Sequence, residues 1–215
     1  MPFMKTAFAL LVIALALQVR GTDASSSLTT ETDKMARATF LTQSAGLRTS
    51  VILTVGETES SAGVERGLHA DIEIVQLDTR GSHNDMIDVG GSVETQLTGP
   101  AAIEDDLSTA ALDVTIPVCG ARPIHNGRLK QRPFTGCFDV PVTLRWTSTR
   151  EMSYDSGTYD YPAGNCTVHV ASSYRLNAAS ATGTIMFGGI NFAGGPSTSA
   201  SLAVSNLSTT SVCPD

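Results

Sequence analysis

The sequence has no long apolar run after its first 20 residues, and a transmembrane helix needs about 20 apolar residues in a row. It has one tryptophan, and only 16% of its residues are charged. It contains no G-x-S-x-G elbow and no C-x-x-C motif, and its four histidines are scattered along the chain. The sequence therefore predicts no catalytic residues, no cofactor and no metal ligands.

An export signal is the clearest feature that is present. Lys5 gives the start a positive charge, residues 7–19 are almost wholly apolar, and small residues follow at Gly21 and Ala24. A charged start, a short apolar stretch and small residues before the cut are typical of a secretory signal peptide. We expect cleavage after Gly21 or Ala24 and a secreted product, extracellular or periplasmic, without a membrane span.

The four cysteines all lie in the expected mature chain, at Cys119, Cys137, Cys166 and Cys213. An even number of cysteines in an exported protein favours disulfide bonds, and four cysteines allow three pairings. The short spacing favours a bond between Cys119 and Cys137. Cys166 and Cys213 are then left to pair and to hold the C-terminus.

Acidic residues outnumber basic ones by 21 to 14. Loss of Lys5 and Arg20 on cleavage leaves 12 basic residues, so the net charge becomes 12 − 21 = −9, and nucleic acid is not an expected partner. The stretch between Cys119 and Cys137 is an exception, because it has no acidic residue. It faces the acidic segment 57–113, is simply solvated, or binds an acidic partner or polyanion. Its basic residues are Arg122, Arg128, Lys130 and Arg132.

Apolar and polar residues alternate with a period of two along three segments, 68–74, 112–118 and 138–146. This pattern predicts strands with one buried and one exposed face, and it places Trp146 on the buried face. Pro141 lies on the exposed face and cannot donate to a ladder. It predicts an edge strand or a bulge.

Weaker strand candidates bring the total to eight or nine short strands, and only residues 103–111 could hold a helical turn. Many short strands between Gly, Pro, Asn and Asp turns favour an all-β protein. We predict an antiparallel β-sandwich of about 8–9 strands, with a β-barrel as the alternative. The expected organisation is a signal peptide over 1–21, a polar linker over 22–33 and the sandwich domain over 34–215.

A second candidate contact surface is the segment 154–161, read as a loop on a rigid scaffold. Its aromatic residues are Tyr154, Tyr159 and Tyr161. Asp155 and Asp160 lie in the same segment, and together with Asp139 they form a candidate calcium set, because calcium prefers several oxygen ligands.

Two segments in the C-terminal third, Trp146-Thr147-Ser148-Thr149 and residues 175–184 (RLNAASATGT), resemble a loose group of secreted bacterial β-proteins. In that group a W-T-G-T-G turn precedes an R-x-A-x-A-S-G-T strand. Ser148 and Arg150 stand here where the group has glycine, and the Ala/Gly spacing differs. The resemblance implies a secreted β-protein and no particular activity.

The residues together favour a secreted, non-catalytic β-sandwich protein that acts by binding or as an envelope component. One alternative is a secreted hydrolase or lyase with a dispersed site, which a cleft holding His125 or His169 beside a carboxylate would favour. The other is a calcium-dependent adhesion module, which requires that Asp139, Asp155 and Asp160 meet.

Overall fold

The computed structural model describes residues 27–44, 46–61, 63–78, 85–96, 102–131 and 136–213. These residues contain no helix long and apolar enough to cross a membrane. Apart from one 3-10 turn at His125–Gly127, their regular structure is all strand. The strands are β1 (Ser27–Ser44), β2 (Leu47–Ser60), β3 (Gly63–Asp78), β4 (Asp85–Gln96), β5 (Thr109–Cys119), β6 (Ala121–Pro123), β7 (Leu129–Gln131), β8 (Cys137–Ala163), β9 (Cys166–Phe187), β10 (Ile190–Asn191) and β11 (Ser199–Val212).

Nine of the strands form one antiparallel sheet in the order β4-β3-β2-β1-β11-β9-β8-β5, with β10 paired to β9. Strands β6 and β7 form a separate two-stranded hairpin. The predicted all-β antiparallel fold is therefore confirmed.

The sheet folds over on itself, so that its inner face encloses one hydrophobic core. Its two end strands meet at Gly91 of β4, where a Cβ atom would lie 2.0 Å from the carbonyl oxygen of Pro117 in β5. Only glycine allows this approach of one backbone to another. No ladder joins β4 to β5 within the described residues, so the hydrogen-bonded order stays open there.

The alternating segments supply the core as predicted. Every second residue from Leu68 to Ile74 is buried, and the corresponding residues of β5 and β8 are buried or partly buried. Trp146 is 1% exposed, and its Nε1 donates to the carbonyl oxygen of Arg37 at 3.1 Å. A buried indole needs such an acceptor, because an unpaired polar group is costly in the core.

Four strands run well beyond the core and form what we call the sheet extension, made of residues 27–33, 153–163, 166–174 and 205–212. Residues 27–33, where a linker was expected, are the first part of β1. Residues 154–161, expected as a loop, lie within β8. Their Ser, Thr and Tyr side chains give both faces a polar appearance that hides the strand period.

Pro141 lies where β8 has a partner on one side only. It pairs with Thr115 of β5, whereas the ladder to β9 begins at Val142. This is the edge position expected for a residue without an amide proton. Residues 103–111, the one candidate helical turn, contain no helix, because residues 105–108 form non-helical turns and bends and residues 109–111 are the start of β5.

The structure contains two disulfides, and their pairing is the one that the sequence favoured. Cys119 is bonded to Cys137, its register partner across β5 and β8. Cys166, at the start of β9, is bonded to Cys213 just after β11, at the far end of the extension. Such bonds persist in oxidising compartments.

Candidate functional site

A polar cleft opens where the inner face of the sheet leaves the core and enters the extension. Its volume is about 660 Å³, and Asp105, from the segment before β5, lines it. The lining is polar except for Val204. It consists of Thr30, Thr32, Lys34, Glu59, Ser60, Ser61, Asp105, Glu151, Tyr154, Ser173, Arg175, Val204 and Asn206.

Strand register brings these side chains to one face. Directly opposite residues in antiparallel strands share a face, so the inner face carries rows of side chains that cross the sheet. A shorter row consists of Thr32, Asn206 and Ser173. A longer row crosses five strands and consists, in sheet order, of Glu57, Lys34, Val204, Arg175 and Tyr154.

Lys34 forms the floor of the cleft and is 4% exposed. Its ammonium group is ion-paired with Asp105 and also donates to the carbonyl oxygen of Ile103 at 3.2 Å. The hydrogen bond and charge of Lys34 hold the pKa of the Asp105 carboxyl below its usual value. Arg175 adds a hydrogen bond to the Asp105 carbonyl oxygen at 3.0 Å.

Glu57 lies beside Lys34 and is also buried, at 1% exposure. Its Oε1 accepts from Arg66 at 2.6 Å, and its Oε2 accepts from the amides of Ala102 and Ile103 at 3.0 and 3.1 Å. The hydrogen bond to Glu57 raises the pKa of Arg66 above its usual value. A buried charge is tolerated only when it is paired and hydrogen-bonded, and these partners meet that condition.

The rim of the cleft is built from groups that both donate and accept. Thr32 Oγ1 donates to Asn206 Oδ1 at 3.0 Å, and Asn206 Nδ2 donates to Ser173 Oγ at 3.3 Å. Tyr154 is 62% exposed at the rim. The lining charges are two basic and three acidic residues, and the described lining holds neither His nor Cys. The arrangement suits hydrogen bonding to a polar ligand and offers no nucleophile with an adjacent base.

A second concavity, of about 630 Å³, lies on the outer face of the extension and is lined mainly by apolar surface. Met35, Tyr174 and Ala203 contribute to it. Asp33, Asp155 and several serines also line it, but the surface that it offers to a ligand is mainly apolar, which distinguishes it from the polar cleft.

The three tyrosines predicted as one surface lie on opposite faces of a strand. Tyr154 is on the inner face and lines the cleft, whereas Tyr159 and Tyr161 are on the outer face. Their rings are 6.3 Å apart and stacked. The prediction of a loop was wrong here, and with it the grouping of the three rings, because side chains of a strand alternate between faces.

The predicted basic loop is the β6–β7 hairpin, which does not contribute to the cleft. Arg122 and Lys130 are directly opposite each other and exposed. Arg128 is ion-paired with Asp78 of the acidic segment at 2.8 Å. Arg132 lies outside the described residues. The acidic half of the molecule therefore offsets at least one of these cations.

The candidate calcium ligands are not brought together. Asp155 and Asp160 are five residues apart on β8 and therefore point to opposite faces, and Asp139 lies near the other end of the strand. No cluster of three or more His, Cys, Asp or Glu side chains suited to a metal ion occurs among the described residues.

His169 does lie beside a carboxylate, as the hydrolase alternative requires, since its Nδ1 is 2.8 Å from Asp160 Oδ1. Both side chains are about half exposed, and neither lines the cleft. His125 lies in the 3-10 turn of the basic hairpin, outside the cleft. The pair therefore has no enclosed site around it.

The charged residues of the cleft floor were missed from the sequence, although a pattern marks two of them. Lys34 continues the buried phase of Ala36 and Ala38 in β1, and Glu57 continues that of Leu53 and Val55 in β2. A charge in the buried phase of an alternating strand indicates a paired, buried group. Which partners it meets depends on the tertiary fold.

The comparisons with known proteins add little to this geometry. No protein-family model matches the chain, and no curated protein matches it. A solved structure, described as the enduracididine biosynthesis enzyme MppR complexed with the condensation product of pyruvate and imidazole 4-carboxaldehyde, aligns with 87% of this chain and 88% of its own. The identity is 10% and the TM-score is 0.24, a likeness too low to support an argument about fold or function.

Proposed function

We propose that this chain is an exported, non-catalytic binding protein that holds a neutral, hydroxyl-rich ligand of the oligosaccharide class in the polar cleft. The observation that carries the proposal is the lining itself, in which hydroxyl and amide groups surround a volume of about 660 Å³. Small-molecule sites commonly measure about 300–1,000 Å³.

The neutrality of the ligand follows from how the charges are used. Lys34 is committed to Asp105, and Arg175 donates to the same segment. Glu59 and Glu151 also line the cleft, and their carboxylates disfavour an anionic ligand. The other groups are hydroxyls and an amide, which can donate and accept, as sugar hydroxyls do. The exposed ring of Tyr154 adds an apolar face on which a sugar ring can stack.

Export is supported by the charged and apolar N-terminus and by the two disulfides. Strand β1 begins at Ser27, so cleavage after Gly21 or Ala24 removes none of it. The resemblance to secreted β-proteins points the same way. N-terminal sequencing of the exported protein tests this part, and a product that still begins at Met1 would contradict it.

Calorimetric titration with neutral oligosaccharides of two to six units tests the ligand class. We expect Tyr154→Ala and Asn206→Ala to weaken binding by about tenfold each, since each removes a cleft contact worth roughly 1.4 kcal/mol. Tyr159→Ala is the matched control, because Tyr159 lies on the same strand with similar exposure but on the opposite face. If no sugar binds, or if the control weakens binding as much as Tyr154→Ala, the proposal fails.

A second candidate function is polyanion binding at the β6–β7 hairpin, favoured by the directly opposed, exposed pair Arg122 and Lys130. Like charges so placed repel each other unless an anion lies between them. Replacing both with serine should abolish retention on a heparin resin at low salt. Arg128→Ser is the control, because Arg128 is already paired with Asp78. A wild-type protein that passes through the resin would rule this function out.

A further inference from the structure

Strand β8 has a long edge that pairs with no other described strand. It pairs with β9 up to Ala163, but its ladder to β5 ends at Thr147, and Ser148 donates to Ser108 at 2.9 Å. From Glu151 onwards, no strand in the described part of the chain pairs with this edge. Such an edge presents a row of open amide and carbonyl groups, which is a template for another strand.

The edge is regular only after the last irregularity in its ladder, between Glu151 and Ser153. The regular segment, 153–163, is exposed on both faces. Its length exceeds that of an average strand, and the only proline in it, Pro162, stands near its end. Natural edges of this length are usually blocked by lysine, proline or a bulge.

A second copy of this chain fits the edge through a two-fold axis. Two copies of one strand that pair antiparallel are related by a two-fold axis perpendicular to the sheet. The outer face of one copy therefore continues into the outer face of the other copy. Residues with odd numbers must then face odd-numbered residues of the other copy. This condition leaves a small set of registers.

The two aspartates select among these registers, because like charges directly opposite each other destabilise a pair of strands. A centre at Asp155 or at Asp160 would place that carboxylate opposite its own copy. A centre at Gly157 places Asp155 opposite Tyr159 and Tyr154 opposite Asp160. Every carboxylate in the segment then faces a tyrosine, in both copies.

We propose that the edge of β8 pairs antiparallel with the same edge of a second copy, centred on Gly157, so that one continuous sheet runs through a homodimer. Gly157 is suited to the axis, since a Cβ added there would meet nothing within 4 Å. Nine residues, 153–161, pair in each copy. Both polar clefts open on the same face of the dimer.

A single cysteine tests the register directly. All four native cysteines are in disulfides, so Gly157→Cys provides the only free thiol. Only residue 157 faces its own copy, at a distance suited to a disulfide. We expect mild oxidation to convert most of this variant to a covalent dimer. Ser153→Cys, on the same face but opposite Tyr161 of the other copy, should remain largely uncrosslinked.

A charge placed opposite a carboxylate tests the same arrangement without covalent chemistry. Tyr159→Asp puts a second carboxylate opposite Asp155 in both halves of the interface, and we expect the dimer dissociation constant to rise by about tenfold at low salt. Added salt should restore much of the loss, because it screens exposed charges. Tyr161→Asp, which faces Ser153, is the control and should weaken the dimer much less.

Sedimentation velocity of the wild type and these variants gives the readout. A wild type that stays monomeric up to about 100 μM, a range in which weak specific dimers form, would overturn the proposal. Equal crosslinking at positions 157 and 153, or a dimer unaffected by Tyr159→Asp, would overturn it too. Oligosaccharide binding at the cleft is measured separately, so failure of one proposal leaves the other intact.

Discussion

Strands β1, β8, β9 and β11 run through both the sheet extension and the part of the molecule around the hydrophobic core, which we call the body. In the body the two layers of the folded sheet enclose the core, whereas in the extension they part. In β1, the inner-face residues Ala36, Ala38 and Phe40 are buried in the core, whereas Thr30 and Thr32, on the same face, line a cleft. Hydroxyl groups cannot be buried without partners at acceptable cost. The composition of one face of a strand therefore decides where the two layers of the folded sheet meet and where they part.

The boundary between the two regions is a set of paired charges. Both charges bind the segment 102–108. Lys34 contacts the carbonyl oxygen of Ile103 and the carboxylate of Asp105, and Glu57 accepts hydrogen bonds from two main-chain amides of the segment. Ile103 and Leu107 of this segment are buried in the apolar core, and Asp105 of the same segment lines the cleft. A structural network thus also shapes the candidate site.

The largest expected effect lies in the body. Trp146→Ala removes a fully buried ring and its hydrogen bond to Arg37, and large aromatic truncations in cores cost about 3–5 kcal/mol. We expect the free energy of unfolding, measured by urea denaturation, to fall by about 4 kcal/mol. A loss below about 1 kcal/mol would mean that this part of the core is loosely packed.

One disulfide lies in the body and the other in the extension, so we expect their removal to affect stability in different ways. Replacing Cys119 and Cys137 with serine should lower the global free energy of unfolding by about 3 kcal/mol, since that bond joins body strands. Replacing Cys166 and Cys213 should lower it less, because the extension can open before the body unfolds. Hydrogen exchange should show faster opening at the far ends of β9 and β11 only. Uniformly faster exchange would contradict a separable extension.

At the boundary, Glu57→Gln replaces one carboxylate oxygen with an NH2 group, which cannot accept a hydrogen bond. Because the amides of Ala102 and Ile103 share Oε2, either both of them or Arg66 loses its acceptor on residue 57. We expect a loss of about 2 kcal/mol, since Arg66 remains partly solvated. Glu59→Gln is the matched control, because Glu59 lies on the same strand and face but its side chain is 55% exposed. Equal losses in thermal denaturation would show that burial of Glu57 has no special role.

What the sequence could predict follows the same division. The body strands show apolar alternation, so segments such as 68–74 and 138–146 and the burial of Trp146 were predictable. In the extension, Ser and Thr occupy both faces, and residues 27–33 and 154–161 have no visible period. The cleft joins side chains far apart in the chain, such as Lys34 with Asp105, and only the register of the folded sheet brings them together.

The ion pair at the cleft floor predicts a pH effect whose sign follows from the lowered pKa of Asp105. A carboxyl whose folded pKa is depressed stabilises the protein above its unfolded pKa, about 3.9, and this contribution is lost as pH falls through the folded pKa. The melting temperatures of wild type and Asp105→Asn should therefore differ most near neutral pH and converge below about pH 3. A difference that persists unchanged in acid would show that the charge of Asp105 is not what stabilises the segment.

The smallest expected effect lies on the outer face of the extension. Tyr159 stacks on Tyr161 and lies opposite Val170, a buried residue that belongs to no part of the main core. Exposed cross-strand pairs are worth about 0.2–1 kcal/mol, so Tyr159→Ala should lower the free energy of unfolding by about 0.5 kcal/mol at low protein concentration. Urea denaturation of this variant and of Trp146→Ala compares the free energy lost by one aromatic substitution in each region. A loss for Tyr159→Ala near that of Trp146→Ala would mean that the extension folds as one cooperative unit with the body, and the distinction between a closed and an open half would have to be abandoned.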